Sequence, residues 1–243
     1  QLNAELEQRV ADRTAQLEAK NHELESFSYS VSHDLKAPLR GIDGYSRLLL
    51  ADYLERLDEE GRSFVQNIRI AADQMYQLID DLLAYSRLER RPLQTNRIHP
   101  QMLVQTLLSE RAAEINERGA IVTLSIPDTT VSADPEGMAM VLRNLLDNAL
   151  KFTRPVEKAV IEIGGRETED TCILWVRDNG IGFDMKYHNR IFEIFQRLHR
   201  VEEHPGTGIG LAMVQKTMQR IGGRVWAESE SGRGATFYLE IPK

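Results

Sequence analysis

Three segments in the second half of the chain combine residue types that bind phosphate or metal in proteins. Residues 178–182 read Asp-Asn-Gly-Ile-Gly after a strand-like run, and residues 206–211 read Gly-Thr-Gly-Ile-Gly-Leu at the start of a helical pattern. Glycine lets the backbone approach a ligand closely, and a helix N-terminus offers free amides to phosphate. A glycine-rich segment of this kind is, by itself, equally consistent with a tight turn. Asp178 adds a carboxylate that can accept a hydrogen bond from an exocyclic amine such as that of adenine.

The third segment, residues 144–153, places polar side chains on one face of a predicted helix. Asn144, Asn148 and Lys151 are spaced by four and three residues, and the leucines between them anchor the other faces. Carboxamide oxygens suit a hard cation such as Mg²⁺, which keeps several waters and takes its other ligands from phosphate. Taken alone, the segment fits a solvated polar face slightly better than a binding site.

The surrounding periodicity predicts the elements that hold these segments. Helical patterns cover about residues 100–117, 135–151 and 208–221, and strand-like runs cover residues 120–126, 159–163, 172–176, 224–228 and 236–241. Helices and strands in this arrangement predict a sheet with helices on one face, an α/β sandwich.

The first ninety residues predict a long helical hairpin that starts as a coiled coil. Two interleaved seven-residue repeats have coiled-coil spacing: Leu6, Arg13, Lys20 and Phe27 in one, and Val10, Leu17, Leu24 and Val31 in the other. The charged positions predict a marginal coil that can shift register. A single amphipathic helix packed within one chain is the alternative.

Pro38 predicts a kink near Leu35, because proline removes one helical hydrogen bond and clashes with the preceding turn. Residues 58–61, Asp-Glu-Glu-Gly, separate this helix from a predicted second helix, whose apolar residues recur at spacings of three and four. Two helices with one apolar face each cannot make a full core, so a symmetric pair forming a dimeric four-helix bundle is predicted.

Bulk composition limits the class of protein. A net charge of −7 among 243 residues argues against a nucleic-acid partner. The sequence has no apolar run long enough to span a bilayer and no signal-peptide pattern, so a cytoplasmic location is expected. The single cysteine, Cys172, lies in an apolar run and is interpreted as core filler. The chain begins inside a helical pattern, as though cut from a longer protein.

Taken in order, the motifs resemble the catalytic core of sensor histidine kinases. Residues 144–153, the 178–182 segment, Phe192-Glu193-Ile194-Phe195 and the 206–211 segment resemble their ATP-binding domain. Residues 27–40, which read Phe-Ser-Tyr-Ser-Val-Ser-His-Asp-Leu-Lys-Ala-Pro-Leu-Arg, resemble their phosphoacceptor box. The residues around His33 and those that follow Phe195 are most similar to the phytochrome-linked branch of the family. The resemblance covers nearly the whole chain.

The resemblance implies a role for each matching residue. His33 would be the nucleophile, Asp34 would accept its proton or orient it, and Asn144 would lie at the metal–phosphate edge. Asn148 would bind Mg²⁺, Lys151 would face the ATP phosphates, and Asp178 would contact the adenine amine with support from Thr236. The remaining nucleotide-binding residues would be Phe152, Gly180, Gly182, Arg197, Gly206, Thr207, Gly208, Gly210 and Leu211.

Two departures from related proteins carry predictions. Related ATPases place a water-activating glutamate near the position of Asn144, so transfer to a side chain is favoured here over hydrolysis. Ala37 stands where phosphatase-competent relatives carry Thr or Asn, which predicts weak dephosphorylation of the partner regulator. Two rivals are a nucleotide-binding scaffold without phosphoryl transfer, which would expect a damaged motif, and a plain ATPase, which would have no use for the His33 box.

The implied organisation is a coiled-coil signalling helix (1–25), a dimerisation and phosphotransfer domain (26–90), a linker (91–98) and a catalytic ATP-binding domain (99–243). The segment from Arg90 to Ile98 is predicted to be a hinge that lets the domains meet. Bending near Pro38 and the register of the coil would convey a signal from an upstream sensor domain. The other expected partners are a second copy of the chain and the receiver domain of a response regulator.

Overall fold

The structure is a computed structural model of the protein, and it describes residues 2–88, 91–198 and 206–243. Most side chains of the first 29 residues lie outside this description, and with them the predicted coiled-coil positions Leu6, Val10, Leu17 and Leu24. The chain forms two compact units, residues 1–90 and 91–243.

The first unit is a helical hairpin. Helix α1 spans Leu2–Asp52, a short 3-10 turn spans Leu54–Arg56, and helix α2 spans Glu59–Leu88. Pro38 lies inside α1 and does not end it. Asp58 caps the start of α2, because its carboxylate accepts a 2.8 Å hydrogen bond from the Gly61 amide.

The hairpin buries little apolar surface of its own. Its buried core is Leu39, Ala72 and Ile79, with Tyr76 and Leu83 packed against it. Other apolar side chains of the two helices remain exposed, including Ile42, Leu49, Phe64, Ile68, Met75 and Leu82. Among the described residues, no helix has the length and apolar character needed to cross a membrane.

In the part of the chain that the structure describes, the second unit contains a two-stranded sheet, a five-stranded sheet and four α-helices. Its elements, in chain order, are β1 (Asn96–Ile98), α3 (Pro100–Glu110), α4 (Ala112–Glu117), β2 (Ile121–Ser125), β3 (Val131–Ala133), α5 (Pro135–Phe152), β4 (Val160–Glu167), β5 (Thr171–Asp178), α6 (Gly210–Arg220), β6 (Arg224–Glu230) and β7 (Gly234–Pro242). The large sheet has the strand order β2-β4-β5-β7-β6, in which only β2 and β4 pair in parallel.

The core of the second unit lies between the five-stranded sheet and helices α3, α5 and α6. Strand β5 shows why: Cys172, Leu174 and Val176 are buried, whereas Trp175 and Arg177 alternate onto the other face. The predicted fold, a helical hairpin followed by an α/β sandwich, is confirmed, and Cys172 lies in the core as expected.

Two local predictions were wrong. The helix expected over residues 100–117 is two helices, because the backbone leaves helical geometry at Arg111 (φ −103°, ψ 4°). The segment expected to be a linker is largely part of the second unit, since β1 pairs with β3 and Arg91 forms ion pairs with Asp134 and Glu136. Arg90, at the start of the predicted hinge, lies outside the described residues.

Candidate active site and phosphoacceptor

His33 is an exposed side chain in the middle of α1. Its side chain is 66% exposed, and its Nδ1 lies 3.3 Å from Oδ1 of Asp34. Because a carboxylate oxygen is an acceptor, this contact favours the tautomer that carries its proton on Nδ1 and has the lone pair on Nε2. One turn away, Lys36 forms an ion pair with Asp80 of α2, and its carbonyl accepts a 3.2 Å hydrogen bond from the Tyr76 hydroxyl.

Helix α5 carries the polar face predicted from the sequence, and its start is fixed by local chemistry. Asp134 accepts a 2.9 Å hydrogen bond from the Gly137 amide, and Pro135 occupies the first helical position, where a missing N–H costs nothing. Its last turn ends with Thr153, whose hydroxyl donates to the Ala149 carbonyl at 2.7 Å.

The glycine-rich segment and the polar face of α5 lie side by side. A Cβ built on Gly210 would stand 2.5 Å from Oδ1 of Asn144, and one built on Gly206 would stand 3.2 Å from Nζ of Lys151. The Asn144 amide nitrogen donates to the Met140 carbonyl at 2.9 Å, which fixes the orientation of that side chain. The structure therefore brings Asn144, Lys151 and both ends of the glycine segment together.

Lys151 is placed where its charge is costly without an anion. Burial, together with repulsion from Arg197 and Arg154, lowers the pKa of its ammonium group to about 8. Its Nζ lies 4.2 Å from the centroid of the Phe152 ring. Positive groups gathered in a partly buried position form a natural site for phosphate.

Asp178 is a buried carboxyl group at the end of β5. It is 6% exposed, and burial raises its pKa to about 6. Hydrogen bonds from the backbone amides of Gly180, at 2.8 Å, and Ala235 act in the opposite direction and hold the carboxylate in place.

The glycines around Asp178 are required by close backbone approach. A Cβ on Gly180 would lie 2.5 Å from the Phe152 carbonyl oxygen, and one on Gly182 (φ +58°) would lie 2.2 Å from that of Glu230. The Ile181 amide donates to the same Phe152 carbonyl at 3.2 Å. The end of α5 and the turn that follows Asp178 are therefore in direct backbone contact.

The glycine-rich segment also contacts the chain after the Phe192–Phe195 motif. Gly208 (φ +75°) accepts a 3.0 Å hydrogen bond from the Phe195 amide, and a Cβ there would lie 3.2 Å from Cγ of Arg197. The Ile209 amide donates to the Thr207 hydroxyl at 3.4 Å, and Leu211 packs against the core. His199, two residues after Arg197, lies outside the described residues.

Thr236 does not lie with Asp178. Its hydroxyl accepts a 3.2 Å hydrogen bond from Nε of Arg177, on the opposite face of the β5–β7 pair. Strand alternation is the reason: Ala235, not Thr236, is the cross-strand partner of Asp178. The role predicted for Thr236 is corrected accordingly.

Two positions beside Asp178 were missed from the sequence. Ala235 contributes its backbone amide, and Gly234 (φ +97°) allows the chains to approach, since a Cβ there would lie 2.0 Å from the Asp178 carbonyl oxygen. The sequence does contain the signal, a glycine opening the last strand, but only the register shows what it faces.

The described residues offer few side chains that could bind a metal ion. No group of three or more His, Cys, Asp or Glu side chains in the described ranges is arranged to hold a metal ion. The carboxamide of Asn148 is half-buried on α5, on the face it shares with Asn144 and Lys151. One neutral oxygen donor fits Mg²⁺ that arrives with a polyphosphate, because this ion keeps water and phosphate oxygens as most of its ligands.

Comparison with known proteins identifies both units. Residues 23–91 match the family described as His Kinase A (phospho-acceptor) domain, and residues 133–243 match the family described as histidine kinase-, DNA gyrase B-, and HSP90-like ATPase. His33 lies in the first match, and the polar face of α5, Asp178 and the glycine segment lie in the second.

The similar proteins include a phytochrome and several histidine kinases. Cyanobacterial phytochrome A of Nostoc sp. is 40% identical over 96% of this chain and 31% of its own length. Sensor histidine kinase WalK of Bacillus subtilis is 30% identical over 96% of this chain and 39% of its own length. The crystal structure of full-length ShkA in complex with AMPPNP has a TM-score of 0.68 and 28% identity, and the match covers 89% of this chain and 45% of that one.

These observations define the class of protein: a two-unit phosphoacceptor and ATP-binding assembly of two-component signalling. The chain contains the catalytic core of a sensor histidine kinase, with the phosphoacceptor match in the first unit and the ATP-binding match in the second. The phytochromes of Nostoc and Synechocystis are among its relatives. The chain spans 31% of the length of these phytochrome relatives.

Proposed function

We propose that this chain transfers the γ-phosphoryl group of ATP to Nε2 of His33. Support comes from an exposed imidazole whose Nδ1 faces Asp34, in the same chain as an ATP-binding unit with buried Asp178 and half-buried Lys151. Because the Nδ1 proton is held by the carboxylate, the Nε2 lone pair is the nucleophile.

In the proposed step, the Nε2–phosphorus bond forms as the bond from the γ-phosphorus to the β–γ bridging oxygen breaks. ADP leaves with that electron pair. The ring proton at Nδ1 is then shared with or released to Asp34, which offsets the positive charge that develops on the imidazole. Asp34 is 80% exposed, so its contribution is expected to be modest.

The residues of the second unit would bind and orient the nucleotide. The Asp178 carboxylate would accept from the adenine amine, and the amides of residues 206–210 would donate to phosphate oxygens. Lys151 and Arg197 would neutralise phosphate charge, and Phe152 would close one side of the pocket. Such positioning and charge neutralisation account for most of the catalysis of phosphoryl transfer.

Mg²⁺ would be held by Asn148, with Asn144 beside it. When bound, Mg²⁺ would offset the negative charge of the ATP phosphates. Asn144 lacks the acidity and basicity to activate water, which favours transfer to a side chain over hydrolysis.

The observation that carries the proposal is the exposed His33–Asp34 pair, and its test is direct. After incubation with magnesium and γ-labelled ATP, the chain should acquire acid-labile, alkali-stable label that His33→Gln removes. His99→Gln is the matched control, because His99 is also half-exposed and lies 3.9 Å from a carboxylate, that of Asp128. Label that survives His33→Gln would mean another acceptor.

The same assay separates the two rival functions. A scaffold would bind ATP without acquiring label, and a plain ATPase would release phosphate at a rate independent of His33. Only a histidine kinase loses its label, and keeps nucleotide binding, when His33 is replaced.

The hairpin is proposed to dimerise into a four-helix bundle. Among its described residues, the buried core cluster is small (Leu39, Ala72 and Ile79), and the exposed apolar residues Phe64, Ile68, Met75 and Leu82 follow one stripe of α2. A second copy would cover this stripe and the exposed Ile42 of α1.

A receiver domain is the proposed phosphoryl acceptor, and a sensor domain is the proposed source of the signal. An open, polar groove on the hairpin, lined by Arg40, Asp43, Arg47, Asp73, Tyr76, Gln77 and Asp80, begins two turns from His33 and offers charges of both signs to a partner. Weak phosphatase activity stays a prediction from Ala37.

A further inference from the structure

Helix α5 has three distinct flanks, and the contacts of the third are not accounted for by the core or by the proposed nucleotide pocket. One flank is buried in the core through Leu145, Leu146 and Ala149. The second carries Asn144, Asn148 and Lys151. The third carries Arg143 and Asp147 toward α3 and α4, two short helices that contain no residue of the nucleotide motifs.

The third flank is held by a bidentate ion pair at the break between α3 and α4. Nε of Arg111 lies 2.9 Å from Oδ1 of Asp147, and its Nη2 lies 3.2 Å from Oδ2. The hydrogen bond with Asp147 raises the pKa of Arg111, as expected for a guanidinium in this fork geometry. Asp147 immediately precedes Asn148, the proposed magnesium ligand.

A second arginine holds the other end of the same flank. Nη1 of Arg118 donates to the Leu150 carbonyl at 2.5 Å, and its Nη2 lies 3.2 Å from Oε1 of Glu114. Leu150 lies in the last turn of α5, where carbonyls lack helical partners and a cation is favourable. Leu150 immediately precedes Lys151, which is proposed to bind phosphate.

We propose that Arg111 and Arg118 are positioning residues that set the rotation of α5 about its axis, and thereby the placement of Asn148 and Lys151. Side-chain atoms lie roughly 5–6 Å from a helix axis, so a rotation of about 10° moves them by about 1 Å. A displacement of that size can lower a rate by about a hundredfold. This inference rests on the proposed function, because it takes Asn148 and Lys151 as ligands of the nucleotide.

The contribution of the pair to stability is expected to be small, which makes a positioning role separable from a structural one. The side chains of Arg111 and Asp147 are 30% and 46% exposed, and solvent screens ion pairs at that exposure. The adenine contact at Asp178 lies on β5, outside the flank that the arginines hold.

The test uses Arg111→Gln in the whole chain, with Glu110→Gln as the matched control. Glu110 is the neighbouring residue, and it also pairs with α5, through Arg143 at 3.1 Å, one turn further from Asn148. Arg111→Gln is expected to lower kcat for His33 phosphorylation about tenfold and to weaken the gain in ADP affinity that magnesium provides. Affinity for ADP without magnesium and the melting temperature should change little, and Glu110→Gln should leave all four quantities unchanged.

Arg118→Met removes the bond to the Leu150 carbonyl and keeps the aliphatic stem, so it should raise KM for ATP about tenfold through Lys151. Arg118→Lys keeps a donor and should recover part of that loss. If Arg111→Gln unfolds the unit, Arg111→Lys, which keeps the charge and loses the bidentate geometry, supplies the same comparison. Equal effects of Arg111→Gln and Glu110→Gln would overturn the positioning role.

Asn148→Ala, measured in parallel, separates the inference from the function on which it rests. If Asn148→Ala abolishes the magnesium-dependent gain in affinity but Arg111→Gln leaves it intact, the inference is wrong and the function stands. If Asn148→Ala also leaves it intact, the metal role of Asn148 is wrong and the inference falls with it.

Discussion

His33 and Asp178 are held in opposite ways by their two units. His33 is 66% exposed on a single helix, and its side chain contacts the carboxylate of the adjacent residue, Asp34. Asp178 is 6% exposed and depends on a turn, two strands and the end of α5 for its position. A phosphoacceptor has to be reached by a nucleotide and by a partner protein, whereas a nucleotide pocket gains strength from excluding water.

The same contrast extends to stability. Among its described side chains, the hairpin has one small buried cluster of Leu39, Ala72 and Ile79, whereas a much larger cluster of buried side chains runs through the second unit. We therefore expect substitutions in the second unit to damage folding and binding together, and substitutions in the hairpin to affect assembly or chemistry separately.

The largest effect should come from Gly234→Ala. Its Cβ would lie 2.0 Å from the Asp178 carbonyl oxygen at φ +97°, so the second unit should lose about 3 kcal/mol of unfolding free energy and most ATP binding. Gly232→Ala is the control, since φ there is +82° but nothing lies within 4 Å of the added carbon, and it should cost about 1 kcal/mol. Urea unfolding measures the loss of unfolding free energy in both variants. Equal losses would show that the close approach of Gly234 to the Asp178 carbonyl is not the cause.

The next effect tests the hairpin. Ile68→Glu should dissociate the dimer, because a carboxylate in an apolar interface is costly to bury. Ile70→Glu should leave it intact: Ile70 is 48% exposed against 46% for Ile68, but it lies on the opposite side of α2 from the apolar stripe. Sedimentation at several concentrations decides, and dissociation by both variants or by neither would contradict the proposed interface.

A smaller effect should appear in the pH dependence of nucleotide binding. As pH falls through about 6, Asp178 is protonated and can no longer accept fully from the adenine amine, so ADP affinity should fall about tenfold per pH unit. As pH rises through about 8, Lys151 loses its charge and KM for ATP should rise. Measured by titration calorimetry, the fall in ADP affinity below about pH 6 should be absent in Asp178→Asn. If that fall persists in the variant, a group other than Asp178 causes it.

The smallest effect should be that of Tyr76→Phe. Losing the 3.2 Å hydrogen bond to the Lys36 carbonyl should cost the hairpin about 1 kcal/mol without altering ATP binding by the second unit. Tyr85→Phe on the same helix, where the structure gives the hydroxyl no hydrogen bond among the described residues, is the control in thermal melts. A change in ADP affinity in Tyr76→Phe would contradict the expectation that this hairpin substitution leaves nucleotide binding by the second unit unchanged.

Much of the site was predictable because its residues are close together in the chain. The spacing of Asn144, Asn148 and Lys151 predicts one helical face, and the structure shows that face against the glycine segment. The short strands β1 and β3 were missed, because three residues carry too little periodicity to be recognised. Thr236 was misassigned, because one residue of strand register decides which face a side chain occupies.

The sequence by itself determined most of the longer helices and strands, the order of the motifs and the family, since these depend on residue type and local spacing. Only the tertiary structure decided that Ala235 rather than Thr236 faces Asp178, that Gly234 has no room for a Cβ, and that Arg111 and Arg118 hold α5. Each of these depends on a contact between residues far apart in the chain. Such contacts are fixed by strand register and helix packing, which local residue patterns do not specify.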